Sequence, residues 1–195
     1  MKIISLGGVG GCNLAQSLRD LNQLAYPYDW LITTQSFVIE SFNNLDNFFV
    51  FNNNYVYDNS KLITTNKKAI MLHDFTNFIL QEGEVIQKYK RRFERLNETL
   101  CSNDDILFVR IYDNLKEELI PNNYYNNILI REDEDILKWE DFINNNINKY
   151  NKNIKLLIIH NKEELINISY YTIILHYTKE HKNTKEIYNI IQKYI

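Results

Sequence analysis

The fold class this sequence predicts is α/β, a Rossmann-like three-layer sandwich with a mostly parallel sheet. Three observations predict it. Short apolar runs (Lys2–Leu6, Asp105–Tyr112, Lys155–His160) have the length and composition of buried strands. Stretches with apolar residues at helical spacing separate them, as parallel strands require. A Gly-rich turn, Gly7–Gly11, joins the first run directly to the first helical stretch.

In chain order, Lys2–Leu6 is a strand that leaves the sheet through the glycines, and Leu14, Ala15, Leu18 and Leu21 mark the inner face of a helix starting near Cys12. Tyr26–Ile32, YPYDWLI, reads as an aromatic turn. Thr34–Asn43 reads as a second helix with Phe37, Val38, Ser41 and Phe42 inward. Phe48–Phe51 and Ala69–Leu72 are candidate strands, the second ending at His73. A long helix starts near Thr76 or Glu84 and reaches Leu100, with Val85, Tyr89, Phe93, Leu96 and Leu100 on one stripe. Strand Asp105–Tyr112, strand Asn127–Ile130, helix Ile136–Ile147, strand Lys155–His160, strand Ser169–Leu175 and helix Thr184–Ile195 complete the reading.

The chain has 195 residues, 45% of them hydrophobic, and a formal net charge of −3, enough to bury one sizeable core as a single domain over residues 1–195. Abundant Asn, Ile, Lys and Tyr reflect A+T-rich coding and are weak grounds for disorder. The mild acidity argues against a nucleic-acid partner, since phosphate neutralisation needs a basic face. No apolar run is long enough to span a bilayer and no cleavable-leader pattern is present, so no membrane partner is expected. Cys12 and Cys101 stand far apart as free thiols, which suits a reducing, cytoplasmic compartment. No CxxC or HExxH spacing marks a metal site, and no cofactor is expected.

Cys12 closes the Gly-rich turn where a helix begins. Unpaired N–H groups and partial positive charge at a helix start can hold an anion or favour a thiolate. Two functions stay open on these residues: a nucleophile, or a cradle in which Gly7, Gly8, Gly10 and Gly11 hold a phosphorylated small molecule such as a nucleotide or nucleotide-sugar. The run Gly8-x-Gly10-x-x-Asn13 lacks the third glycine of the dinucleotide fingerprint, and no Lys-Ser or Lys-Thr of a P-loop follows. Four histidines could serve Cys12 as base, and His73 and His160 both close apolar strands. His176 and His181 lie in a polar stretch. Arg91, Arg92 and Arg95 with Lys88 form a cationic face, either solvated or suited to carboxylate and phosphate.

Six segments in fixed order, SLGGVGGC (Ser5–Cys12), AQSLRDL (Ala15–Leu21), YPYDW (Tyr26–Trp30), HDF (His73–Phe75), KYKRRFERLNETL (Lys88–Leu100) and ILFVR (Ile106–Arg110), carry a family likeness. Together they resemble a family of uncharacterised proteins described as papain-like cysteine peptidases, domain of unknown function 1796, with members in bacteria and large DNA viruses. The likeness spans Ser5–Arg110. The resemblance implies Cys12 as nucleophile, His73 as base, and Asp29 or Asp74 as acidic partner. The implied function is a cysteine-dependent hydrolase, a peptidase or acyl transferase, acting on a peptide or acyl substrate in the cytoplasm, or the host-cell cytoplasm for a viral member. Two features depart from the family pattern: two additional residues within Gly8–Gly11, and Tyr28 in place of Phe. The resemblance also brings in the alternative architecture, a papain-like α+β fold with the histidine on a separate antiparallel sheet.

Overall fold

The computed structural model describes residues 1–8, 11–43, 55–58, 61–64, 69–71, 75–112, 135–160, 172–178 and 183–195. The elements are β1 (Lys2–Gly8), α1 (Gly11–Asp20), β2 (Leu31–Thr33), α2 (Gln35–Asn43), β3 (Tyr55–Asp58), β4 (Lys61–Thr64), β5 (Ala69–Met71), α3 (Phe75–Cys101), β6 (Ile106–Tyr112), α4 (Ile136–Tyr150), β7 (Ile154–His160), β8 (Ile173–Tyr177) and α5 (Thr184–Gln192). Strands β1, β6, β7 and β8 form a parallel sheet in that order.

Strand residues alternate between the two faces of this sheet, and each face is covered by helices, which is why the strands are apolar nearly throughout. One face carries Ile4, Leu6, Phe108, Leu156 and Ile158 against Phe37 and Phe42 of α2, Leu96 and Leu100 of α3, and Trp139 and Phe142 of α4. The other carries Ile3, Leu107, Val109, Leu157 and Ile159 against Leu14 and Leu18 of α1 and Ile187 and Ile191 of α5. The three-layer α/β expectation therefore holds for the described residues. The inner faces read from helical spacing are also found, since Phe37, Val38, Ser41 and Phe42 of α2 and Val85, Tyr89, Phe93, Leu96 and Leu100 of α3 are all buried.

Helix ends follow local chemistry. Asp135 accepts the Leu137 N–H at 2.9 Å to start α4, and Asn151, in the left-handed region at φ 50°, ends it with its N–H on the Ile147 carbonyl. Asn183 and Glu186 form a reciprocal capping box at the start of α5. Among the described residues, no helix is long and apolar enough to cross a membrane.

The mostly parallel sheet expected from the sequence does not include the strand that precedes His73. That strand's residues Ala69–Met71 form β5, and β5 belongs to a second, antiparallel sheet in the order β2, β5, β4, β3. The reason is chain length: four residues separate β4 from β5, enough for a reversal but far short of the crossover that parallel pairing needs. Leu31, read as part of a turn, opens β2; the turn itself is confined to residues 27–30. The last parallel strand is Ile173–Tyr177, further along than Ser169–Leu175. The candidate strands Phe48–Phe51 and Asn127–Ile130 lie outside the described residues.

Candidate active site at the end of β1

The chain leaves β1 toward α1 on one face of the parallel sheet, whereas β6, its neighbour, leads on to α4 on the other face. In parallel α/β sheets, ligand sites form beyond the carboxyl ends of the strands. Gly7, Gly8, Cys12 and Arg110–Tyr112 stand at this end of the sheet.

Two hydroxyls hold the turn that enters it. The Gly7 N–H donates to Ser5 Oγ at 2.9 Å, and the Gly8 N–H donates to Thr33 Oγ1 at 3.1 Å. Gly8 sits at φ +107°, and a Cβ there would meet the Ile111 carbonyl oxygen at 2.0 Å. Only glycine allows the backbone through so close to β6. Gly11 is needed for a similar reason, since its Cβ would lie 2.1 Å from the Leu31 carbonyl oxygen as α1 starts against β2. The N–H groups of Gly7 and Gly8 are thus engaged by protein oxygens and not presented to an anion. Gly10 lies outside the described residues.

Cys12 is half-buried in the first turn of α1, and its Sγ–H points to the Trp30 carbonyl oxygen at 3.9 Å. Burial pushes the Cys12 thiol up from its ordinary range, the direction opposite to that expected of a helix start. Trp30 itself is in the left-handed region at φ 69°, uncommon for a bulky residue, and the Arg19 guanidinium lies 5.9 Å from its ring centre. Cys101 is exposed at the end of α3, and neither cysteine is in a disulfide.

Asp29, only 4% exposed, closes the turn before β2 by accepting the Tyr26 N–H on Oδ2 at 2.8 Å. Its Oδ1 is buried with no hydrogen-bond partner among the described residues. Burial pushes its carboxyl up to about 6, opposed by the Tyr26 N–H, the charges of Arg92 and Arg95, and the nearby Ser5 hydroxyl.

The cationic face read from α3 divides. Arg92 Nη1 donates to the Asp29 carbonyl at 3.4 Å and Arg95 Nη1 to the Ala25 carbonyl, so both guanidinium groups clip the Tyr26–Trp30 turn onto α3. Arg91 is exposed.

His73 and Asp74 lie outside the described residues, as does His181. His160 ends β7 fully buried, its ring 5.9 Å from that of Tyr177. β6 lies between β7 and β1, which sets His160 back from the β1 edge by two strand spacings, about 10 Å. His176 pairs through Nδ1 with the Tyr194 hydroxyl at 2.9 Å, on the far strand. Among the described residues, no group of three acidic, histidine or cysteine side chains could hold a metal ion.

Three residues at this corner escaped site assignment from the sequence: Ser5, Thr33 and Arg110. Arg110 lies in a strand that is otherwise apolar, ILFVRIY, and is 2% exposed. A charge inside a buried strand was the available signal. Its guanidinium donates from Nη1 to the Leu6 carbonyl at 2.8 Å and Thr33 Oγ1 at 2.7 Å, and from Nη2 to the Thr33 carbonyl at 2.8 Å. The Trp139 ring lies beneath it, 5.6 Å from the guanidinium carbon.

The chain matches one family model, described as "Putative papain-like cysteine peptidase (DUF1796)", over residues 1–161. No curated protein and no solved structure matches it. The match takes in β1, Cys12, the Tyr26–Trp30 turn, α3, Arg110 and β7, and so the chain belongs to this family of papain-like cysteine peptidases by description.

Proposed function

We propose that the chain is a cysteine-dependent hydrolase acting on peptide or related acyl groups, with Cys12 as nucleophile and His73 as base. The observation that carries the reading is the position of Cys12: the first turn of a helix, beyond the carboxyl end of β1, inside the region matched by the family. Support for His73 comes from the second sheet. Met71, the last residue of β5, pairs with Leu31, and the preceding carbonyl, that of Trp30, is the acceptor for the Cys12 thiol. Position 73 is two residues further on, at most about 7 Å of chain. The phosphate-cradle alternative has less to stand on, because two of its N–H groups already serve Ser5 and Thr33.

With a thiol that is protonated at rest, the base acts during attack rather than in a preformed ion pair. The imidazole takes the Sγ proton as sulfur adds to the substrate carbonyl, and backbone N–H groups at the start of α1 face the developing oxyanion. Collapse expels the amine or alcohol, which receives the proton, and leaves a thioester on Cys12. Water, deprotonated by the same base, then releases the acid and restores the thiol.

The test is hydrolysis of an activated ester such as p-nitrophenyl acetate by the whole chain. A burst of nitrophenolate stoichiometric with enzyme is expected, absent in Cys12→Ala and slowed by roughly 10²- to 10⁴-fold in His73→Ala. An undiminished burst in Cys12→Ala rules out the reading.

A further inference from the structure

Cys12 is bounded on two sides, by the Gly turn that precedes it and by β2, and both sides meet at one hydroxyl. Thr33 Oγ1 accepts the Gly8 N–H at 3.1 Å and Arg110 Nη1 at 2.7 Å, and donates to the Leu6 carbonyl at 3.0 Å. Two donors and one acceptor use the full capacity of a hydroxyl and leave it no freedom to turn. Arg110 adds bonds to the Leu6 and Thr33 carbonyls, so its planar fork ties the end of β1 to the end of β2. The same β2 begins one residue after Trp30, whose carbonyl receives the Cys12 thiol, and packs its Leu31 carbonyl against Gly11.

We propose that Thr33 and Arg110 are positioning residues for Cys12, holding the Gly turn and β2 in register so that the thiol stays half-buried on the Trp30 carbonyl. They act through Gly8 on one side and through β2 on the other. A buried guanidinium is costly to desolvate, and here it anchors the two backbone segments that frame the proposed nucleophile. The inference rests on the reading of Cys12 as nucleophile, yet its consequence is measurable without any substrate.

The experiment follows alkylation of Cys12 by iodoacetamide across pH, by peptide mass mapping, with the exposed Cys101 as reference within the same molecule. In the wild type, the limb set by thiol ionisation should lie above the ordinary thiol range for Cys12. Thr33→Val removes the hydroxyl at nearly constant volume. It should move that limb down toward the ordinary thiol range, so that below the midpoint the Cys12 rate rises about tenfold for each pH unit the limb has moved. Thr33→Ser returns the hydroxyl and should restore the wild-type limb. A structural role alone would lower the melting temperature without moving one thiol relative to the other. Arg110→Lys, which keeps a charge but not the planar fork, should move the limb in the same direction. If Thr33→Val folds and leaves the Cys12 limb where the wild type has it, the proposal is overturned. Failure of the nucleophile reading gives a different result, an unchanged ester burst in Cys12→Ala, and leaves the alkylation comparison intact.

Discussion

Gly8→Ala is expected to lower stability by about 4 kcal/mol, a fall in melting temperature of roughly 10 °C for a chain of this size. A methyl group on Gly8 would lie 2.0 Å from the Ile111 carbonyl oxygen, closer than any real Cβ contact, and the obstacle is backbone on β6 rather than a side chain that could swing aside. The φ of +107° adds strain that L-residues do not relieve. Relief requires β1 and β6 to part at the site, so the Gly8 N–H would also leave Thr33 Oγ1. Gly83 provides the control. It is exposed within α3 with nothing within 4 Å of its would-be Cβ, so Gly83→Ala should raise stability by about 1 kcal/mol. Thermal melts of the two variants should move in opposite directions, and a Gly8→Ala melt within a degree or two of wild type would contradict the geometry.

Asp29→Asn is expected to show a stability advantage over wild type that grows with pH. The folded carboxyl titrates at about 6 and the ordinary value is 3.8, so between those values the folded state holds more protons than the unfolded state. Stability of the wild type then falls as pH rises through that window, and the deficit stays above it. A midpoint raised by about two pH units corresponds to roughly 3 kcal/mol at most. Asparagine keeps an oxygen for the Tyr26 N–H but has no charge to desolvate. The gain of Asn over wild type should therefore be about 1–3 kcal/mol larger at pH 8 than at pH 4, read from denaturant unfolding at both values. Taking the difference between the two pH values removes any constant effect of the amide. A gap that shrinks as pH rises would mean that Arg92 and Arg95 stabilise the carboxylate more than burial destabilises it. A carboxyl group buried at such a cost, in the turn that leads to the Trp30 carbonyl, fits the pattern of functional sites.

Much of the fold was legible because its signals are local. β1, β6 and β7 are apolar on both faces and stand out as runs, and the stripe Val85, Tyr89, Phe93, Leu96, Leu100 states which side of α3 is buried. β2, β3 and β4 are not legible in the sequence, since strands of three or four residues carry no usable periodicity and of the second sheet only the apolar run at β5 stands out. The Tyr-Pro-Tyr-Asp-Trp cluster masked the start of β2. β5 is legible as an apolar run, but Ala-Ile-Met says nothing about its pairing partner, so its sheet is fixed only by the pairing with β2 and β4. The site divides the same way. Cys12 and its glycines announce themselves by a strand, a turn and a helix in succession. Thr33 and Arg110 are 77 residues apart and acquire their role only when β2 is laid beside β1. The arginine run on α3 looked like one surface, but two of its members reach back to carbonyls of the Ala25–Asp29 segment, a contact no helical wheel contains.

The central claim is that a base serves Cys12, and the pH dependence of Cys12 alkylation in wild type and His73→Ala tests it most directly. With a thiol that burial holds protonated, attack at neutral pH depends on a base taking the proton. The wild-type rate at Cys12 should therefore rise through the imidazole range, near pH 6.5, ahead of the limb set by the thiol itself. His73→Ala should erase the first rise and keep the second, with Cys101 unchanged throughout. Superimposable Cys12 profiles in the two proteins would contradict the claim.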